Sequence, residues 1–262
     1  MVIIITGTSS GIGFVLAEFL GKKGHHVFGL SRKNVESAYF KTIPTDITDE
    51  TQVKNAISEI IKNHRTIDVL INNAGMGMVG AVEDSTKQEI SELFDLNLIG
   101  AVQTMQAVLP QMRTQKTGKI INISSIGSEM GLPFRGFYSA SKAALDKVVE
   151  AIRYEVAEWN VEVCSLHLGD IKTNIADHRI KTEVSEPYQK IFAKIYQLMN
   201  AHVNDGSEPE DVAIYIDKLL NGKINKAHYY FGKFGQKIGV PLKYILPQIW
   251  FENLMKKYNK ID

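Results

Sequence analysis

Tyr138 and Lys142 stand four residues apart in the run Tyr138-Ser139-Ala140-Ser141-Lys142. On a helix, that spacing puts both side chains on one face, where an ammonium can act on a phenol. An unperturbed tyrosine titrates near pH about 10, and a fixed positive charge beside it favours the phenolate. Bringing it into working range needs only about 3 to 4 kcal/mol of differential interaction. The pair therefore reads as a general acid/base for use near neutral pH. A second chemical signal sits at the start of the chain, where Thr6-Gly7-Thr8-Ser9-Ser10-Gly11-Ile12-Gly13 follows an apolar run and precedes the helical pattern Phe14, Val15, Ala17, Leu20. A strand, a glycine-rich turn and a helix N-terminus in succession aim backbone N–H groups and a positive dipole end at one point, which suits a pyrophosphate. A glycine trio alone more often makes only a turn, and a lone tyrosine or lysine is more often a surface group.

These groups need a scaffold, and the apolar pattern supplies one. Val2 to Ile5, Val27 to Leu30, Val69 to Ile71, Ile120 to Ile123 and Val161 to Leu166 are β-branched, nearly continuous runs of the kind found in strands buried on both faces. Helical periodicities alternate with them: Val53, Ile57, Ile60 and Ile61; Leu145, Val148, Val149, Ile152 and Val156; Val212, Tyr215, Ile216, Leu219 and Leu220. Repeated βα units with right-handed crossovers predict a doubly wound α/β fold, a Rossmann-type parallel sheet of about seven strands in a three-layer α/β/α arrangement. The glycine turn then lies at the first strand of such a sheet, where dinucleotides bind. No repeat, low-complexity tract or long linker divides the chain. One domain over residues 1–262 is expected, with a substrate-loop insertion at about 173–206 and an aromatic, basic tail at about 232–262.

Composition narrows the function classes. Thirty Lys and Arg against 29 Asp and Glu leave a net charge of +1, too little to gather nucleic acid by charge alone. A single cysteine, Cys164, forms no intramolecular disulfide, and no Cys/His spacing resembles a metal site, so no metal is expected and a reducing cytoplasm fits best. The uncharged run 1–17 has no basic leader and carries turn formers, which speaks against a signal peptide. Residues 96–112 include Asn97, Gln103, Gln106 and Pro110, as a soluble helix does.

The glycine spacing is Gly-x-x-x-Gly-x-Gly, and it is joined in order by Asn72-Asn73-Ala74-Gly75, Asn97, Ser125 and Tyr138-x-x-x-Lys142. In these motifs the chain resembles the short-chain dehydrogenase/reductase family, in its shorter single-domain branch, over roughly residues 2–175 and 208–231. The resemblance implies hydride transfer between a nicotinamide cofactor and a carbonyl or alcohol. Tyr138 would be the acid/base, Ser125 would polarise the carbonyl oxygen, Lys142 would hold the nicotinamide ribose and lower the tyrosine pKa, and Asn97 would hold a proton-relaying water. It places the cofactor against Gly7, Ser9, Ser10, Gly11, Ile12 and Gly13, against Asp46 and Ile47 at the adenine, and against Asn73, Ala74 and Gly75, with Asn72 and Asn73 mainly ordering backbone. After the sixth strand, Gly169, Ile171 and Thr173 match the nicotinamide loop, but Leu168 replaces the usual proline, which puts that loop's stiffness in question.

The second strand ends Ser31-Arg32-Lys33, with no carboxylate to accept from a ribose 2′-hydroxyl. A guanidinium can instead fork a 2′-phosphate, so NADP(H) is expected over NAD(H); the alternative is that Arg32 and Lys33 are solvated loop charges. Ser128, Met130, Leu132, Pro133, Phe134, Arg135 and Phe137, with Ile175, Ile180, Tyr188, Phe192 and Met199, suggest an apolar pocket for a ketone-, steroid-, retinoid- or acyl-like substrate. Arg135 could meet a substrate anion, though a solvated arginine is the default. Six lysines interleave with aromatic and aliphatic residues in the tail. Three readings of it are open: a lid on the cleft, a subunit interface, or a basic amphipathic segment on a lipid surface, with membrane contact ranked below the other two. His25, His26, His64, His178, His202 and His228 read as surface residues. The family often pairs through its long helices, here near 86–114 and 136–159, so a homodimer or homotetramer is expected. A non-catalytic NADP-sensing protein on the same fold, or a sugar-nucleotide epimerase or dehydratase, are the other functional readings.

Overall fold

The computed structural model describes residues 1–174 and 178–261. Its centre is a seven-stranded sheet, all parallel, in the order β3-β2-β1-β4-β6-β7-β9. The strands are β1 (Val2–Thr6), β2 (His26–Ser31), β3 (Lys41–Pro44), β4 (Val69–Asn72), β6 (Gly118–Ser125), β7 (Val161–Leu168) and β9 (His228–Phe231). The helices are α1 (Gly11–Lys22), α2 (Glu50–His64), α3 (Lys87–Phe94), α4 (Ala101–Gln115), α5 (Gly136–Glu155), α6 (Glu186–Asn204), α7 (Pro209–Asn221), α8 (Phe234–Ile245) and α9 (Gln248–Tyr258). The doubly wound architecture is as the sequence pattern predicts.

The three layers follow from the period of two along each strand. On β1, Ile4 packs with Val53 and Ile57 of α2, Met105 of α4 and Val149 of α5, whereas Ile3 and Ile5 pack with Leu16 and Leu20 of α1 and Ile216 of α7. Both faces are therefore apolar, which is why these strands read as unbroken hydrophobic runs. Helix starts are set locally: the Asp49 side chain accepts from the N–H groups of Thr51 and Gln52, and Thr86 with Glu89 forms a capping box on α3.

Two features depart from the expected outline. The long helix near 86–114 is broken by a π-helical turn over Asp95–Gly100, which re-aims Asn97. A second, two-stranded parallel sheet pairs β5 (Met78–Val79) with β8 (Ile180–Lys181), tying the chain after β4 to the insertion. At two residues per strand these elements are too short for any periodicity to show.

The sheet brings the C-terminal ends of β1, β4, β6 and β7 to one edge, where ligands bind in folds of this kind. Polar groups brace it from beneath. Asn72 Nδ2 donates to Asn122 Oδ1 (2.9 Å) and the Ala101 carbonyl (3.0 Å), and Thr104 Oγ1 donates to Asn72 Oδ1 (2.6 Å). At the edge itself, a Cβ on Gly13 would lie 2.2 Å from the Gly7 carbonyl oxygen and 2.4 Å from Asn73 Nδ2, so the start of α1 fits against the β4 loop only without a side chain. Gly13→Ala is expected to lower the denaturant midpoint by an amount worth about 1 to 3 kcal/mol, without a change in m. An unshifted midpoint would show that this close approach is not a constraint.

Candidate active site

A cavity of about 890 Å³ opens along the C-terminal edge of the sheet. Its floor includes Gly7, Ser9, Ser10, Gly11 and Ile12 from the first turn, and Asn73, Ala74 and Gly75 follow β4. Arg32, Asp46 and Ile47 line one end, and Gly169, Ile171 and Thr173 line the loop after β7. Ser125, Tyr138 and Lys142 face the same space. The residues singled out in sequence thus converge, with three exceptions. Gly13 is packed inside the turn, Ser31 is buried and donates to the Lys33 carbonyl (2.8 Å), and Asn97 lies behind the wall.

The Asn97 amide is fully engaged. Its Oδ1 accepts from Met76 N (2.8 Å), while Nδ2 donates to the Met76 carbonyl (2.9 Å) and to Ser141 Oγ (3.1 Å). It is still close to the centre: a Cβ on Gly75 would lie 3.0 Å from Asn97 Oδ1 and 3.2 Å from Lys142 Nζ. Asn73 Nδ2 donates to the carbonyls of Thr6 (3.0 Å) and Gly7 (3.2 Å), ordering backbone as expected. The Asp46 carboxylate accepts from Thr48 N and Thr48 Oγ1, and so shapes the turn beside the cavity.

At the turn, Ser10 is the N-cap residue of α1 yet its side chain caps nothing, so the helix's first N–H groups have no side-chain acceptor. Those groups and the helix dipole can serve an anion. The loop after β7 keeps its shape without the usual proline. Leu168 is buried and registered against Ser125 and Phe231, Gly169 N donates to the Phe231 carbonyl (2.8 Å), and Ser207 N donates to the Asp170 carbonyl (3.0 Å).

Tyr138 and Lys142 share one face of α5, but the electrostatics differ from the expectation. Burial pushes the Tyr138 phenol above its ordinary value; a hydrogen bond with Ser125 and the charges of Arg135 and Arg179 pull it back in part. Lys142 is not the group that acidifies it here. Its Nζ donates to the Ile123 carbonyl (2.9 Å), and burial brings its pKa down to about 8, with the Asp146 carboxylate acting in the opposite direction. Ser124, the preceding residue of β6, is buried and donates to Asp146 Oδ2 (3.0 Å), while Ser125 Oγ accepts from Gly127 N (3.0 Å) at the cavity wall.

The substrate side is also redrawn. Met130, Leu132, Ile180 and Met199 line the cavity, whereas Phe134 packs edge-on against Tyr188 and Phe192 (ring centroids 6.1 and 5.3 Å) in a separate cluster. Ile175 lies outside the described residues. Arg135 lines the cavity and is not a solvated charge: its Nε is buried without a hydrogen-bond partner, and burial lowers its pKa. Ile238, Leu242, Phe251, Leu254 and Met255 of α8 and α9 close the far side. His228 is not a surface residue. Its Nδ1 shares a hydrogen bond with His167 Nε2 (2.9 Å) and its Nε2 meets Glu150 Oε1 (3.0 Å). Glu129, His167 and His228 bring three ligand-type atoms within 4.8 Å of one another, a juxtaposition their sequence spacing conceals; Glu129 accepts from Tyr230 Oη (2.6 Å) and Tyr244 Oη (3.0 Å).

The profile described as short chain dehydrogenase matches residues 1–184. The chain belongs to this family. Among relatives of this short-chain dehydrogenase, a 3-ketodihydrosphingosine reductase of Bacteroides thetaiotaomicron is 40% identical over 226 residues, covering 85% of this chain and 84% of that protein. An NADPH-dependent 3-dehydrocapnine reductase of Ornithobacterium rhinotracheale is 32% identical over 86% of each chain. A short-chain dehydrogenase from Streptomyces avermitilis superposes with a TM-score of 0.85 at 26% identity, covering 100% of this chain and 99% of that one. Oxidoreductase chemistry and the Rossmann-like sheet are thus properties of the family to which the chain belongs.

Burial of Lys142 has a pH signature. The native state holds this proton more weakly than the unfolded chain, whose lysine titrates at its ordinary value of 10.5. Between pH about 8 and about 10.5 the unfolded chain therefore binds more protons, and stability from this site rises with pH; below about 8 the full cost is present. The difference in unfolding free energy between Lys142→Met and wild type should fall by about 2 to 4 kcal/mol across that window. Urea titrations of both proteins would check it, and a pH-independent difference would contradict a buried ammonium.

Proposed function

We propose that this short-chain dehydrogenase is an NADP(H)-dependent carbonyl reductase acting on an apolar ketone. The observation that carries this reading is the convergence of the uncapped α1 turn with Ser125, Tyr138 and Lys142 on one cavity. The residues fit the cofactor: the α1 turn would hold the pyrophosphate, Asp46 and Ile47 would border the adenine, and Arg32 would meet the 2′-phosphate, with no carboxylate at Ser31 to repel it. Gly169, Ile171 and Thr173 would hold the carboxamide end. When bound, NADPH supplies the hydride that reduces the carbonyl carbon.

The chain's own groups manage the oxygen. Ser125 Oγ donates to the carbonyl oxygen as negative charge develops there. The phenol of Tyr138 gives up its proton to that oxygen, completing the alcohol. An ordinary phenol is already protonated at neutral pH, and burial shifts this one further that way, so it holds the proton a reductase needs. Lys142, held by the Ile123 carbonyl, would orient the ribose. The hydrogen bond with Ser125 and the charges of Arg135 and Arg179 favour the phenolate left behind.

The cavity's lining supports an apolar substrate, and the names of the two relatives describe reduction at a 3-keto or 3-dehydro position. A long-chain 3-oxo compound of the sphingoid type is accordingly the first substrate to try. Following NADPH absorbance across long-chain 3-oxo compounds, simple ketones and aldehydes tests the reading, and tight NADPH binding with no turnover on any of them would favour a sensor instead.

Tyr138→Phe is expected to lose about 10²- to 10⁴-fold in kcat while binding NADPH as before. Full turnover in this variant would remove the phenol from the scheme. Arg32→Glu should lower kcat/KM for NADPH about 10- to 100-fold and shift preference toward NADH, since it replaces a charge-assisted contact by a repulsion. An unchanged NADPH/NADH ratio would assign Arg32 to the solvated surface.

A further inference from the structure

The last two helices are apolar on both sides. One side of α8 and α9 lines the cavity with Ile238, Leu242, Phe251 and Met255. The junction between them, around Pro247, points the other way. Tyr244, Ile245, Ile249 and Trp250 are 70%, 75%, 59% and 64% exposed, and none of them lines the cavity. Phe234 is exposed on the same segment. Among the described residues, eight of the fourteen exposed large hydrophobics fall between positions 234 and 258, so the apolar surface is concentrated here rather than scattered.

Tyr244 keeps its hydroxyl on Glu129 (3.0 Å), and Ile245, Ile249 and Trp250 beside it make a clustered apolar exposure of the kind that marks an interaction site. The charge around them selects the partner. Lys237, Lys243, Lys256, Lys257 and Lys260 are exposed in this segment, with Glu252 the only carboxylate among its described residues. Lys243 also donates to the Glu129 carbonyl, which fixes the base of the patch to the loop after β6. A cationic rim around Trp, Tyr and Ile side chains suits the boundary between phospholipid headgroups and acyl chains. Among the described residues no helix is long and apolar enough to cross a membrane, so the contact would be peripheral.

We propose that the α8–α9 corner docks on the surface of an anionic lipid bilayer, with Ile245, Ile249 and Trp250 inserted at the headgroup level and the lysine rim on acidic headgroups. The helices that touch lipid on one side would then wall the cavity on the other, so an apolar substrate could pass from bilayer to site along one continuous apolar surface. The docking stands apart from the reductase reading, because its test reads no turnover.

The test is cosedimentation of the full chain, at low salt, with vesicles of phosphatidylcholine alone and of phosphatidylcholine mixed with phosphatidylglycerol, together with the emission of Trp250 in a Trp159→Phe background. The expected result is binding to the anionic vesicles and a blue shift of the emission. Ile249→Ser with Trp250→Ser should lower the partition coefficient about tenfold or more, since it removes two inserted apolar side chains. Lys256→Gln with Lys257→Gln should lose about fivefold per charge on anionic vesicles and nothing on neutral ones. An unchanged far-ultraviolet circular dichroism spectrum and thermal midpoint show that each variant is folded. Failure of the wild type to bind anionic vesicles overturns the proposal, as does binding that Ile249→Ser with Trp250→Ser leaves intact. Sedimentation velocity without lipid supplies the third outcome: an oligomer that this double substitution dissociates would assign the patch to a second copy of the chain and overturn the lipid assignment.

Discussion

A buried ammonium sets the terms for the rest of the site. Lys142 is largely withdrawn from water inside α5, where a charge is costly unless it is paired and hydrogen-bonded. Only part of the compensation is local: the Ile123 carbonyl accepts from it at 2.9 Å, and the Asp146 carboxylate sits one helical turn away. Space for it depends on Gly75, since any side chain there would press on both Lys142 Nζ and Asn97 Oδ1. The β4 loop must therefore be held at a fixed distance from α5. Asn97 does this by joining the Met76 backbone to Ser141 of α5, and Asn73 ties the same loop to Thr6 and Gly7 at the end of β1.

The same constraint clarifies what the tyrosine can do. Position alone suggested a phenol acidified by its lysine neighbour. In the folded chain, burial raises the phenol pKa, and the opposing influences come from Ser125 and two arginines. Under the proposed reduction this phenol serves as the acid, a role in which a permanently ionised tyrosine would have nothing to give.

The legible part of the protein was its periodic and short-range part. Strands buried on both faces write themselves as β-branched runs, and a phosphate turn or an i, i+4 pair is local by construction, so β1, the glycine turn and the Tyr138–Lys142 pair could be read directly. What stayed hidden depends on long-range proximity. His167 and His228 are 61 residues apart and meet only because β7 and β9 are neighbours in the sheet. Arg135 reads as a surface charge until the loop before α5 turns it inward, and its buried, unpartnered Nε is a property of the cavity rather than of its neighbours in sequence. The π-turn at Asp95–Gly100 slips the apolar pattern by a single residue, a phase change that too few residues on either side make visible.

The C-terminal helices show how composition can be informative while remaining ambiguous. Their alternation of aromatic, aliphatic and basic residues is equally consistent with a lid, an interface or a lipid-facing segment, since all three need an apolar stripe beside charge. Three-dimensional placement separates those roles by side. Pro241 lies within α8 without ending it, and Pro247 turns the chain into α9, so the two helices form a corner with one surface toward the cavity and another toward solvent. The inward surface carries the packing that closes the site, with Val240 and Phe251 buried against Ile126 and Met130 of the loop after β6. On the outward side, Tyr244 and Lys243 anchor the corner to Glu129 of the loop after β6, while Ile245, Ile249 and Trp250 stay exposed. A segment that closes the cavity from one side needs only one apolar face; the second is the face that the proposed bilayer contact would cover.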